Sequence, residues 1–208
     1  MTDRPAPQLI LASTSASRRA ILNAAGVPHE AMSPGVDEAE LKLSLTAAGA
    51  RPRAMADALA EAKAMKIALR VADSHPGALV LGGDQILARD DGGTMDKAAD
   101  MAELRAQLLS LRGRTHRLMS ALVIAERGRA VWRHIDSAKL TVRAFSDEWL
   151  DAYLVREGET LLWGVGGYRI EDMGIQLFSQ VEGDQFTIRG LPLLPLLDYL
   201  RTRGVLAS

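Results

Sequence analysis

Apolar positions along this chain follow two periods, and each change of period marks a new element. Leu9-Ile10-Leu11-Ala12 is an unbroken apolar run that ends in small hydroxyl residues, which predicts a buried strand. Helical spacing then takes over and predicts a helix over 17–25, stopped by Gly26. Val27 to Met32 reads as a short strand and Ser33-Pro34-Gly35 as a turn, with a short helix over 37–49 ending at Gly49. Pro52 suits the first turn of a long helix. On that helix Met55, Ala58, Leu59, Ala62, Lys66 and Leu69 form the expected inner face. Lys66 interrupts the face, so its charged head must reach solvent or a partner. Lys63 falls at the edge, where its ammonium could reach a cleft. An ordinary solvated charge is the plainer reading for either lysine.

Ala78 to Leu81 reads as a buried strand ended by Gly82-Gly83-Asp84-Gln85, with Ile86 to Ala88 as its continuation. Asp90-Asp91-Gly92-Gly93 is a turn. A helix is expected over 98–111, with Met101, Leu104, Leu108 and Leu111 on one face and Gly113 closing it. His116 to Ala125 and Ala130 to Val142 flank Glu126-Arg127-Gly128-Arg129, which predicts a hairpin. Ser146 is a good cap for a helix carrying Trp149, Leu150 and Tyr153. A glycine-rich bend at Gly164 to Gly167, a strand over 175–181 and a helix over 192–200 complete the pattern. The fold class expected from this order is α/β, with a mixed central sheet flanked by helices. Residues 1–208 are read as one domain, with 112–115 a candidate break between two lobes.

Composition narrows the function. The chain has 208 residues, 48% of them hydrophobic, enough for a sizeable core. A net charge of −1 gives no broad field for nucleic acid or an anionic membrane, so no nucleic-acid partner is expected. Any polyanion site must be a local cluster. There is no cysteine, which excludes disulfides, zinc-thiolate sites and a cysteine nucleophile, and suits a reducing cytoplasm. No signal-peptide core or membrane-length apolar run is present, so a soluble cytoplasmic protein is expected.

The candidate chemistry is phosphate chemistry. Strand, tight loop and helix start, with Arg18 and Arg19 at once behind Ser13, Ser15 and Ser17, is an arrangement that grips phosphate through backbone N–H groups, a helix dipole and guanidinium forks. The bland alternative is a strand–helix turn with solvated arginines. Asp84, behind two glycines at the end of a buried strand, is either a general base or Mg²⁺ ligand at the sheet's carboxyl edge or simply a turn aspartate. Asp37 and Glu38 offer oxygens for a hard cation, or merely start a helix. The four histidines, His29, His75, His116 and His134, share no metal-ligand spacing. No Gly-x-Ser-x-Gly elbow or Walker loop occurs. Trp132, Trp149 and Trp163 are scattered and read as core rather than a stacking platform. Arginines, carboxylates, Lys63 and Lys97 together suit phosphoanhydride hydrolysis.

Several blocks, in order, resemble the Maf family. Leu11-Ala12-Ser13-Thr14-Ser15-Ala16-Ser17-Arg18-Arg19 is similar to its signature. Val36-Asp37-Glu38, Glu61-Ala62-Lys63-Ala64, Gly83-Asp84-Gln85 and Lys97 are similar to its acidic, lysine and aspartate blocks. So are Leu109 to His116, Gly167-Tyr168, Glu182-Gly183 and Gly190-Leu191-Pro192-Leu193. The resemblance implies a two-lobed fold like that of the inosine triphosphatases, with a cleft between the lobes, and in many members a homodimer. It implies cleavage of a nucleoside triphosphate to monophosphate and pyrophosphate with a divalent cation, Mg²⁺ or Mn²⁺. Asp84 would activate water, and Glu38 and Asp84 would hold the metal. Lys63 and Lys97 would serve catalysis with them, and Ser13, Ser17, Arg18 and Arg19 would bind the substrate. Gln85 after Asp84, and Glu171 before Gly174-Ile175-Gln176-Leu177-Phe178, resemble the 7-methyl-GTP type. A carboxylate such as Glu171 accepts from guanine N1–H and the 2-amino group, although a surface salt bridge is its plainer reading. The chain departs from the pattern at Ser17, often tryptophan in that type, and at Ala16 and Ala98, where the family has prolines. The alternative function is a nucleotide-binding regulator of septum formation with little turnover.

Overall fold

The computed structural model describes residues 7–207. They form an α/β fold with a seven-stranded mixed sheet. The strands are β1 (Leu9–Ala12), β2 (Glu30–Met32), β3 (Leu79–Arg89), β4 (Thr94–Met95), β5 (Thr115–Glu126), β6 (Arg129–Val142) and β7 (Phe178–Glu182). Their order is β2-β1-β3-β5-β6-β7, with β4 off this path beside β3. β1 pairs in parallel with β2 and β3, while the β3–β4 and β6–β7 pairs are antiparallel. The helices are α1 (Ala16–Ala24), α2 (Glu38–Ala47), α3 (Pro52–Arg70), α4 (Met101–Leu111), α5 (Asp147–Glu157), α6 (Gln185–Ile188) and α7 (Leu193–Thr202).

The chain divides into two compact units. One takes residues up to Asp84, Ser120–Asp136 and Gly190 onward; the other takes Gln85–Met119 and Ser137–Arg189. In the first, the run Leu9 to Ala12 is wholly buried, as its unbroken apolar pattern requires, with Leu59, Ile67, Leu79 and Leu81. In the second, the core is built from Leu104, Leu108, Leu118, Leu140, Leu150, Tyr153 and Leu161. The β5–β6 hairpin turns at Arg127 and Gly128, both with positive φ (50° and 72°), the pair of conformations a two-residue turn needs. Ser146 caps α5, accepting from the backbone N–H of Trp149 at 3.2 Å.

Four expectations need correction. The buried face of α3 is Met55, Ala56, Leu59, Ala60, Lys63, Ala64, Ile67 and Ala68, so Lys63 lies inward while Lys66 and Leu69 are exposed. Lys66 finds its partner in the carbonyl of Gly35. Seven alanines line this helix and mark no face by themselves, so spacing alone sets the inner face part of a turn away from where it lies. Second, β3 does not end at the glycines: it runs through Gly82 and Gly83 to Arg89, and Thr94–Met95 then folds back on it as β4. Third, the strand expected from Ile175 begins only at Phe178, because Met173–Leu177 is a 3₁₀ turn. Trp163, expected in the core, is 68% exposed, whereas Trp149 packs on Phe145 and Tyr153.

Candidate functional site

The first unit gathers its buried charge at one place. β1 ends at Ala12, paired with Gly82, so Asp84 lies two residues past the last β1–β3 pair although β3 itself continues. This is the carboxyl end of the parallel segment, where ligand sites in α/β sheets form. Gly82 makes the neighbouring helix possible: a Cβ there would lie 2.1 Å from the carbonyl oxygen of Ala60. Without a side chain at that point, α3 packs straight onto the strand and delivers Lys63, one turn along, to Asp84.

Lys63 Nζ lies 2.6 Å from Asp84 Oδ1 and 2.9 Å from Glu38 Oε1. Lys63 and Asp84 are each 5% exposed, while Glu38 is about half open to solvent. Removing an ammonium from water costs several kcal/mol unless it is well paired, and two carboxylates supply that pairing. The other oxygen of the aspartate, Oδ2, is buried and has no hydrogen-bond partner. Asp37 and Glu38 part company here. Asp37 is the N-cap of α2 and its Oδ1 accepts from the backbone N–H of Glu40 at 3.0 Å, whereas Glu38 turns to Lys63.

The strand–loop–helix at the start of the chain supplies the cations. Ser15 caps α1, its hydroxyl accepting from the backbone N–H of Arg18 at 3.3 Å. Arg18 is buried; Arg19 is exposed and Ser17 half-buried. Arg18 Nε donates to the carbonyl of Gly190 at 2.8 Å, and Nη1 to Ser13 Oγ at 3.3 Å. Burial pushes this guanidinium down from its ordinary value, and the charges of Asp84 and then Glu38 pull it back up. Ser13 Oγ also accepts from the backbone N–H of Ser15 at 3.1 Å. A hydroxyl accepts two hydrogen bonds and donates one, so Ser13 can only donate to an incoming group, which favours an anion.

The remaining predicted residues belong to the second unit. Gln85 is half-buried, and its amide nitrogen donates to the carbonyls of Thr187 (3.1 Å) and Ile188 (3.0 Å) at the end of α6. Its donors brace the backbone there. Glu171 Oε1 lies 3.4 Å from Arg189 Nε and 4.0 Å from Arg169 Nε, so this carboxylate is held between two guanidinium groups. Lys97 is exposed, four residues before α4. Sequence reading missed the carbonyl of Gly190 as the partner of Arg18. No side-chain pattern signals a backbone acceptor 172 residues away.

A divalent cation can be tested against the donors present. Among the described residues no cluster of three or more His, Cys, Asp or Glu could hold a metal. Asp84 and Glu38 give two carboxylates, both close to the Lys63 ammonium, at 2.6 Å and 2.9 Å. That set fits Mg²⁺ or Mn²⁺ shared with substrate phosphates, since such ions use one or two carboxylates and keep the rest of their shell for water and phosphate. No described helix is long and apolar enough to cross a membrane.

Known proteins resemble this chain along nearly its whole length. The model of the family described as Maf-like protein matches residues 8–203. A protein of Caulobacter vibrioides named nucleoside triphosphate pyrophosphatase is 55% identical, over 94% of this chain and 96% of its own length. A Rhizobium meliloti protein named 7-methyl-GTP pyrophosphatase is 47% identical, over 96% of this chain and 98% of its own. A crystal structure of a dITP/XTP pyrophosphatase from Mycobacterium abscessus covers 95% of this chain and 94% of its own at 17% identity, with a TM-score of 0.37.

Proposed function

This chain belongs to the Maf-like family and is a nucleoside triphosphate pyrophosphatase, a hydrolase, and on that premise we propose that it cleaves the α–β phosphoanhydride of a modified nucleotide, 7-methyl-GTP first among them. One observation carries the mechanism. Asp84 is buried, Lys63 holds its Oδ1, and its Oδ2 has no protein partner. A carboxylate fixed at one oxygen and unpartnered at the other keeps an acceptor for the proton of a water brought in with the substrate.

In this reading Asp84 Oδ2 accepts the water proton while Lys63 keeps the carboxylate oriented. The hydroxyl of Ser13, the start of α1 and the terminal nitrogens of Arg18 face the triphosphate and offset the charge that gathers on the bridging and leaving oxygens. Ser17, Arg19 and Lys97 add further contacts to the phosphates. Glu38 and Asp84 would hold Mg²⁺ or Mn²⁺, which neutralises phosphate charge when bound. Glu171 is the residue assigned to the base, reading guanine N1–H and the 2-amino group, with Gln85 assigned to substrate binding alongside it. The name of the Rhizobium meliloti relative supports the 7-methyl-GTP assignment. Serine at position 17 offers no ring to stack on a cationic base, so recognition would rest on Glu171. We place the enzyme in the cytoplasm as a homodimer, a reading that its lack of cysteine and the family resemblance support.

The test is pyrophosphate release from 7-methyl-GTP, GTP, dTTP, UTP, CTP and ITP with Mg²⁺ or Mn²⁺. The assignment predicts a kcat/KM for 7-methyl-GTP at least about tenfold above the rest, and loss of that preference in Glu171→Ala. Faster release from pyrimidine nucleotides would refute the base assignment. Tight binding with no release from any nucleotide would favour a regulator.

A further inference from the structure

The Arg18 guanidinium is a planar fork with five N–H donors. The protein uses two of them, Nε to the Gly190 carbonyl at 2.8 Å and one on Nη1 to Ser13 Oγ at 3.3 Å. The other three are on the terminal nitrogens and make no hydrogen bond among the described residues. The fork's outer edge is therefore the part left for a ligand, and two parallel donors on one edge match a phosphate.

Two glycines set where that edge lies. A Cβ on Gly190 would stand 3.3 Å from Arg18 Nη2 and 3.6 Å from Nε. A Cβ on Gly83 would stand 3.2 Å from Arg18 Nε and 3.1 Å from Leu122 Cδ2. Gly190 also has φ +84°, which an L side chain rarely adopts, and this conformation aims its carbonyl at Nε. An arginine side chain is long and loses much freedom when it is fixed in place. Here the fold has already fixed it, so a phosphate meets a donor pair that needs no ordering.

We propose that Gly190 and Gly83 are positioning residues that seat the Arg18 fork with its outer edge presented to a phosphate of the substrate. The proposal rests on the pyrophosphatase reading for its substrate but not for its geometry. Neither glycine touches substrate; both act through Arg18.

The experiment is a double-mutant cycle with two readouts: initial rates on 7-methyl-GTP with Mg²⁺, and calorimetric affinity for inorganic pyrophosphate. The proteins are wild type, Gly190→Ala, Gly83→Ala, Arg18→Ala and the two doubles with Arg18→Ala. Arg18→Ala should cost about a hundredfold in kcat/KM. Each glycine variant should cost about tenfold in the wild-type background and under about twofold where Arg18 is already absent, in both readouts. Equal losses in the two backgrounds, or no loss in either, overturn the seat. Should Gly190→Ala not fold, Gly83→Ala carries the cycle, because its position asks for no left-handed backbone. A wild type that binds pyrophosphate yet releases none from any nucleotide defeats the pyrophosphatase reading, and the affinity cycle still decides the seat.

Discussion

The two units treat buried polar side chains in opposite ways. Among the described residues the first unit buries the charged Arg18, Lys63 and Asp84 besides Ser13 and Ser120; the second buries His116, Thr187 and the phenol of Tyr153. The first unit keeps opposite charges against one another, with Lys63 2.6 Å from Asp84. The second keeps its groups neutral. His116 Nε2 meets Tyr168 Oη at 2.7 Å, and Tyr153 Oη donates to the carbonyl of Gly167 at 3.1 Å. Burial pushes His116 down to about 4, with the charge of Asp90 opposing it, and pushes both phenols up, so all three resist ionisation. Neutral polar groups can be buried with a single partner at modest cost. Retaining charge inside costs far more and contributes little to stability, so its presence marks chemistry rather than architecture.

Removing one partner of the charged cluster is the strongest way to break this contrast. Lys63→Met leaves the buried Asp84 without its hydrogen-bonded cation and should lower stability by about 3 kcal/mol in urea unfolding. Adding Asp84→Asn should recover most of that loss, because the stranded charge is gone. If the double variant is as unstable as the single, the lysine stem matters rather than its charge.

The neutral cluster gives a comparable effect that depends on pH. His116 is depressed in the folded chain, so the unfolded chain takes up the proton first. Its stability contribution is complete above about 6.5 and is lost as the pH falls towards about 4, amounting to about 3 kcal/mol across that window. His116→Phe should flatten the fall between those pH values. An unchanged slope would mean that carboxylates alone govern acid unfolding.

The same contrast explains what could be read from the residues alone. The loop Ser13–Arg19 was legible because strand, hydroxyl cap and helix follow in an order that local physics dictates, and Asp84 because glycines precede it. Lys63 was legible as a candidate but misplaced at the helix edge, since an alanine-rich helix shows no face until it packs. Gly82 and Gly83 read as a strand end, yet serve as room: one for α3, the other for Arg18. Asp37 and Glu38 were indistinguishable in sequence; only the fold shows that one caps a helix and the other meets Lys63. Gln85 and Glu171 lie where backbone carbonyls and arginines claim them, partners that are distant in sequence.

The central claim is that Asp84 is the base of a pyrophosphate-releasing reaction. The most direct measurement compares wild type with Asp84→Asn for pyrophosphate release from 7-methyl-GTP, alongside the affinity of each for the same nucleotide without metal. The account predicts a fall in kcat of about 10³-fold with nucleotide affinity within about threefold of wild type. An Asp84→Asn protein that turns over at near wild-type rate, or a wild type that releases orthophosphate instead of pyrophosphate, would contradict it.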